Sequence, residues 1–290
     1  MQRDREGGGP LTSAEVLPTE ANRLGEGKKP SLTVVAAMLN ERDHLESWLE
    51  NLDWVDRIIL IDHGSKDGSL EIARSQPRCE CISAPEGEGL IEDIRSLGLE
   101  AVNEGWVLVL DLDERVSQGL KEEITDLLSR EQHADGYLIP FRHYVFGHWL
   151  RYGGWDDKHL RLFKSGKGHY TPGKIHADAV VEGEVESLEQ AVLHYAHPTI
   201  HDFIMRMNRY TTQSAEVLAN GKPGGLRKRV RLPESRWRWF QASASFFWTR
   251  FIKHRGFRDG MPGFIIAFLL AAYLFVEQAK AWEFARENSR

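Results

Sequence analysis

Asp111-Leu112-Asp113-Glu114 is the segment of this chain best suited to chemistry. It continues directly from Trp106-Val107-Leu108-Val109-Leu110, an apolar run of the kind found in strands buried on both faces. In an extended strand, residues two apart point to the same side. The Asp111 and Asp113 carboxylates are then expected side by side at a sheet rim, with Leu112 turned inward. Like charges that close are costly unless a cation lies between them. Hard oxygen donors of this kind suit Mg²⁺ or Mn²⁺ and leave coordination positions for substrate phosphates. A bare Asp-x-Asp also fits two solvated acids in a turn before a helix starting near Ser117. The buried strand, the third acid and two further polar clusters favour the metal.

Those clusters are Asn40-Glu41, after Leu32-Thr33-Val34-Val35-Ala36-Ala37-Met38, and Asp62 to Ser69, after Arg57-Ile58-Ile59-Leu60-Ile61. Asn40-Glu41 alone fits the N-cap of the following helix. Asp62 and Asp67 lie among glycines and serines that favour turns held by Asx hydrogen bonds. Asp62 is also placed to accept a hydrogen bond from a base N–H. Asp156 and Asp157 follow Gly153-Gly154-Trp155, a flexible aromatic loop. Either acid is a candidate general base, with a backbone-bonded loop acid as the alternative. Trp155 suits stacking on a sugar face or a place in the core. Arg161 is a candidate partner for diphosphate charge, or one half of a surface ion pair. His176 and His194 are candidates for metal or phosphate binding, with a satisfied structural histidine as the alternative for each.

Strands alternating with amphipathic helices from Leu32 to Leu128 predict a mostly parallel α/β sheet with helices on both faces. One helix has Leu45, Trp48, Leu49 and Leu52 on a single face. Ligands of open α/β sheets bind beyond the carboxyl ends of the strands, where all three polar clusters fall. Residues 136–163 are aromatic and Gly-rich and read as strands and loops, and from about Pro198 the chain turns helical. The expected organisation is a disordered tail over 1–30, a catalytic domain over 31–200 and a C-terminal helical extension over 201–290.

Net charge is −6, which argues against a broad nucleic-acid surface. Cys79 and Cys81 match neither a redox nor a zinc spacing and read as free thiols in a reducing compartment. No signal peptide is evident. A basic loop spans 221–232. Trp237 to Phe251 interleaves aromatic and basic residues, and residues 261–276 are nearly all apolar, shorter than the roughly 20 a spanning helix needs. This pattern fits peripheral contact with an anionic membrane surface, or a helical hairpin that closes the fold or makes a dimer.

The three strand ends, in this order over residues 32–115, resemble the family 2 glycosyltransferases, which have the GT-A fold. Arg161-Leu162-Phe163, His176, His194-Tyr195, Tyr210-Thr211 and residues 260–283 extend the likeness to the branch containing bacterial lipopolysaccharide core glucosyltransferases, over about 31–285 in all. The resemblance implies an inverting enzyme that moves a hexose from a nucleotide-diphosphate sugar to a saccharide or glycolipid acceptor. It is expected in the cytoplasm, at the inner face of the membrane. Asp62 is expected at the base, Asp111 at the ribose or a metal-bound water, Asp113 on the metal and Arg95 near the nucleotide or donor. Asn40 and Glu41 fall in the donor site, and the base of the reaction falls after the metal strand. Leu112 stands where that branch usually has Ala, and His176 is followed by Ala177-Asp178 rather than Glu. A retained but inactive sugar-nucleotide scaffold and an Asp-x-Asp phosphatase are the competing readings. The phosphatase usually continues with Gly and then Thr or Ser, whereas Glu114-Arg115 stands here.

Overall fold

The structure, a computed structural model, describes residues 30–84, 91–130, 133–171, 179–219 and 236–287. The expected tail, the basic loop at 221–232 and His176 lie outside the described residues.

The first half alternates as its apolar runs require. β1 (Leu32–Met38), α1 (Arg42–Asn51), β2 (Arg57–Asp62), α2 (Ser69–Arg74), β3 (Cys79–Ser83), α3 (Ile91–Glu100) and β4 (Trp106–Val109) follow in order. The strands lie as β3-β2-β1-β4, all parallel. Their side chains divide with a period of two. Val34, Ala36, Ile58, Leu60 and Leu108 enter one core with Leu45, Trp48 and Leu49 of α1. Val35, Ile59, Ile61, Val107 and Val109 enter a second core under α3. This two-sided burial accounts for runs that do not alternate polar with apolar. Gly98 lets α3 lie close on that face, since a Cβ there would meet Ile61 Cδ1 at 2.5 Å and Val35 Cγ1 at 2.6 Å.

From residue 110 onward the sheet becomes mixed. The next elements are β5 (Glu114–Val116), α4 (Gln118–Leu127), β6 (Gly136–Val145), β7 (His148–Trp149), β8 (Lys158–Lys164), β9 (Gly168–His169), β10 (Val180–Val181), β11 (Val185–Ser187) and β12 (Val192–His197). Ser117 caps α4 by accepting the Leu120 N–H at 3.3 Å, which places this helix start as expected. The sheet continues β4-β8-β6-β12-β5, with β8 antiparallel to both of its neighbours. β12 runs parallel to β6 and antiparallel to β5. The sheet is therefore all parallel through its first four strands and mixed beyond them, where β6 still pairs parallel with β11 and β12.

Three helices follow, α5 (Ile200–Ala219), α6 (Arg236–Trp248) and α7 (Gly260–Glu287). A π-helical turn at Thr249–Lys253 and a 3₁₀ turn at Gly256–Asp259 connect the last two. Lys280 of α7 ties α5 down, its Nζ lying 2.8–2.9 Å from four acceptors that share its three N–H groups, Asn208 O and Oδ1 and the Thr211 and Thr212 hydroxyls. Ile266 and Leu270 of α7 share a core cluster with Val145 and Leu150, so the helices pack on the sheet's β6–β7 hairpin. α7 extends past the apolar stretch and is long and apolar enough to cross a membrane by length and composition. One stripe of it is buried (Ile266, Leu270, Leu274, Ala281), while Met261, Phe264 and Phe268 are exposed.

Candidate active site

The Asn40 and Asp62–Ser69 loops are fastened to each other. Asn40, at φ 55°, accepts the Lys66 N–H at 2.8 Å, and its own N–H donates to Ser65 Oγ at 3.0 Å. The Glu41 N–H donates to Ser69 Oγ at 2.9 Å, and the Arg42 N–H to Asp67 Oδ2 at 3.0 Å. Asp62 is buried and accepts the Gly64 and Ser65 N–H groups at 3.2–3.3 Å, an Asx turn. The polar residues at these two strand ends thus set the shape of the rim.

Asp111 and Asp113 are not on a strand. β4 ends at Val109, and residues 111–113 form a turn closed by Glu114 N–H to Asp111 O at 3.0 Å and Asp111 N–H to Glu114 Oε2 at 2.8 Å. Trp48 Nε1 donates to Asp111 O at 2.9 Å and pins the turn to α1. Leu112 is buried as expected, but in a turn the two carboxylates are free to take different partners. Asp111 forms an ion pair with buried Arg95 and lies 3.5 Å from Arg161 Nη2, which also pairs with Glu114 at 3.1 Å. Asp113 faces His194 Nε2 at 3.7 Å and Arg206 Nη1 of α5 at 3.5 Å.

Arg161 reaches this position through a break in register. Tyr137 pairs with Leu162 and Leu138 with Leu160, so Arg161 is the extra residue of a β-bulge, a feature that re-aims side chains beside active sites. His194 stands opposite both His143 on β6 and Glu114 on β5. A chain of contacts then crosses the site. Asp157 Oδ1 lies 2.6 Å from His143 Nε2, and His143 Nδ1 lies 3.0 Å from His194 Nδ1. Asp157 Oδ2 is 2.8 Å from His159 Nε2. With a proton on His143 Nε2, His143 Nδ1 accepts from His194 Nδ1–H. His194 Nε2 then faces Asp113, donating to it when the imidazole is protonated and free to bind a cation once that proton is lost.

The charges follow from these contacts. Burial raises the Asp113 carboxyl, but hydrogen bonds and charge from His194 and Arg206 outweigh it and hold the group well below the usual range. Burial likewise raises Asp111, and Arg95 and Arg161 reverse that. Asp157 is raised by burial and carried far lower by His143 and His159. Burial lowers His194, and Asp113 lifts it above the ordinary imidazole value. Glu41 goes the other way, pushed up to about 7 by burial and by Asp113.

Asp113 and His194 are the candidate pair for a divalent cation. Their oxygen and nitrogen are 3.7 Å apart, wider than the roughly 3 Å between adjacent octahedral ligands, so a small side-chain shift would bring both onto one Mg²⁺ or, with its greater tolerance of imidazole, Mn²⁺. Among the described residues no group of three potential ligands converges: Asp111 is turned to Arg95 and Arg161 rather than to Asp113, so phosphate oxygens would have to complete a metal shell. Arg161 Nη1 and Arg95 Nε are buried donors with no partner among the described residues, which suits an anionic ligand. Asp156 is exposed on the same loop as Asp157. The sequence reading missed His143, His159 and Arg206. His143 carried a signal, since it occupies the buried parity of β6 between Phe141 and Val145.

The acid-rich rim lies at strand ends of an α/β sheet and faces imidazole and guanidinium groups. The glycosyl transferase family 2 profile matches residues 33–179. The chain belongs to that family and is a glycosyltransferase, and its α/β sheet with the C-terminal helices is of the GT-A type. It is 26% identical over 267 residues to the lipopolysaccharide core biosynthesis glycosyltransferase LpsC of Rhizobium meliloti (strain 1021), covering 88% of this chain and 93% of that one. An uncharacterized glycosyltransferase of Rickettsia felis is 26% identical over 243 residues, covering 79% of this chain and 81% of its own. Among solved structures, the mannosyltransferase PcManGT of Pyrobaculum calidifontis, in complex with GDP-Man and Mn²⁺, aligns at TM-score 0.49 with 14% identity, covering 88% of each chain.

Proposed function

We propose that this enzyme transfers a hexose from a nucleotide-diphosphate sugar, a UDP-sugar first among them, to a saccharide or glycolipid acceptor, with inversion at the anomeric carbon. The process it serves is cell-envelope polysaccharide or lipopolysaccharide synthesis, in keeping with the near-full-length likeness to LpsC. The observation that carries this reading is the contact chain Asp113–His194–His143–Asp157. It joins a pair suited to a divalent metal to a carboxylate on an aromatic loop.

Asp113 and His194 would hold Mg²⁺ or Mn²⁺, with Asp111 close by. His176 remains a candidate ligand. When bound, the cation supplies neutralisation of the charge that develops on the departing diphosphate. Arg95 and Arg161 present buried N–H groups to the same charge, and a low-dielectric setting strengthens such contacts. Asn40, Glu41 and Asp62 would shape the nucleotide end, with Asp62, fixed by its Asx turn, accepting from a base N–H. Asp157 accepts the proton of the attacking hydroxyl. His143 and His159 orient it, and Asp156 is the alternative base on the same loop. Inversion needs one such base and in-line attack, with no covalent intermediate.

We place the enzyme in the cytoplasm, at the inner face of the membrane. Residues 236–268 contain six arginines or lysines and a single acid, Asp259. That acid is buried, whereas Trp237, Phe240, Trp248 and Phe257 are exposed. Interleaved cations and aromatics of this kind suit an anionic lipid surface. The test is nucleotide release from UDP-, GDP- and dTDP-sugars by the purified chain, with and without Mn²⁺, in wild type and Asp113→Ala. Metal-dependent release that the substitution abolishes is expected. Absence of both binding and turnover across all three donors would overturn the reading.

A further inference from the structure

Away from the catalytic rim, the β6–β7 hairpin and the loop after it enclose an open cavity of about 430 Å³, with Trp149, Arg151, Tyr152 and Arg258 in its wall. The guanidinium of Arg151 lies 4.3 Å from the Trp149 ring centroid, that of Arg142 lies 4.9 Å from the same ring, and that of Arg258 lies 4.6 Å from the Tyr152 ring. Packing on an aromatic face fixes a guanidinium plane and leaves its N–H edge available. None of the three arginines forms an ion pair with a carboxylate among the described residues. The one acid in the wall, Asp259, is buried and committed to the backbone, accepting the Arg151 and Tyr152 N–H groups at 3.2 and 2.9 Å. Arg151 and Arg258 thus place two fixed positive charges in a wall whose one carboxylate, Asp259, is taken up by these N–H groups and faces His148 Nε2 at 3.9 Å.

Its position is informative as well. Arg151 and Tyr152 lie on the loop that continues through Trp155 to Asp157. Arg258 sits between the exposed Phe257 and Met261 of the apolar face. A ligand in the cavity is thus close in the chain both to the acceptor-side carboxylate and to the surface that suits lipid. We propose that this cavity is an acceptor subsite that binds an anionic substituent, a phosphate or carboxylate, carried by the acceptor saccharide. The proposal rests on the glycosyltransferase reading and adds the chemical class of the acceptor.

Phosphate on a sugar and phosphate on a bilayer lipid offer the same chemistry, so the test separates them. Full-length wild type, Arg151→Ala/Arg258→Ala and Arg151→Lys/Arg258→Lys are titrated calorimetrically with glucose 6-phosphate and with glucose. The nucleotide site is first saturated with UDP and Mn²⁺. The same proteins are floated on phosphatidylcholine vesicles with and without phosphatidylglycerol. The expected result is at least fivefold tighter binding of glucose 6-phosphate than of glucose by wild type. The alanine pair loses that preference and the lysine pair keeps part of it. An affinity for UDP within twofold across the three proteins controls for folding. Equal affinity for the two sugars, or no change in the alanine pair, overturns the proposal. So does a defect confined to phosphatidylglycerol vesicles, which would make the cavity a phospholipid headgroup site. Failure of UDP to bind any of the proteins would count against the donor site, and the comparison of the two sugars would still read the cavity.

Discussion

Asp111 and Asp113 are two residues apart and live in different electrostatic worlds. Asp111 and its neighbour Glu114 are enclosed by Arg95 and Arg161, and Glu114 is 1% exposed. Asp113 has one guanidinium beside it, the part-exposed Arg206 at 3.5 Å, and otherwise looks out through imidazoles, His194 and then His143, to Asp157. A guanidinium keeps its charge at any ordinary pH and has no lone pair to give. An imidazole can shed a proton and become a ligand. The first cluster can therefore hold a shape and meet an anion but cannot host a cation without rearrangement, whereas the second opens to one when His194 gives up its proton and Arg206 turns aside. The repeated acid of an Asp-x-Asp motif here conceals a division of labour.

The sharpest way to break that division is Asp113→Asn. Loss of the carboxylate on the metal side is expected to lower kcat/KM about a thousandfold, a loss of roughly 4 kcal/mol of transition-state stabilisation. Melting temperature should change little, and steady-state kinetics with saturating Mn²⁺ reads the effect. The guanidinium cluster should behave the other way. Arg161→Met strips a buried pair from Glu114 and Asp111 and is expected to cost about 3 kcal/mol of stability, measured by urea unfolding. An unfolding midpoint unchanged from wild type would show that this cluster is not a structural one.

Asp157→Asn tests the far end of the imidazole chain. It is expected to lower kcat about a hundredfold with KM for the donor nearly unchanged. Asp156→Asn should stay within a few-fold, and the reverse ranking would move the base to Asp156. The smallest effect concerns Glu41, whose carboxyl is lifted to about 7 in the folded state from 4.5. Between those values the folded protein holds a proton that the unfolded chain releases, so stability falls as pH rises through the window. Glu41→Gln should remove this slope, stabilising the metal-free protein by on the order of 1 kcal/mol at pH 8 and by almost nothing at pH 4. Thermal unfolding in a chelator across that range checks it.

The half that was legible in the sequence is the half whose contacts are local. The runs at 32–38, 57–61 and 106–110 read as doubly buried strands because both faces of the sheet are covered, and the rim clusters followed from where those strands stop. The strand geometry assumed for Asp111 and Asp113 did not survive, because Glu114 folds back to close a turn. Arg161 and His194 were visible as residues but not as neighbours of this turn. A one-residue bulge places the first, and the pairing of β12 with both β5 and β6 places the second across 51 residues from His143. Hydrophobic periodicity carries no information about a bulge or about which distant strand is joined. In α7 the apolar stretch understated the helix, which runs on to Glu287 because residues past Val276 keep helix-forming side chains and pack on α5.

The central claim is that the imidazole-linked cluster, and not the guanidinium-enclosed one, is where a divalent cation and the donor diphosphate meet. Mn²⁺ titration followed by electron paramagnetic resonance, in the presence of UDP, tests it most directly on wild type, His194→Ala and Asp113→Asn. The expected result is nucleotide-dependent Mn²⁺ binding by wild type, weakened at least tenfold in each variant. Wild-type affinity retained in both variants would contradict it.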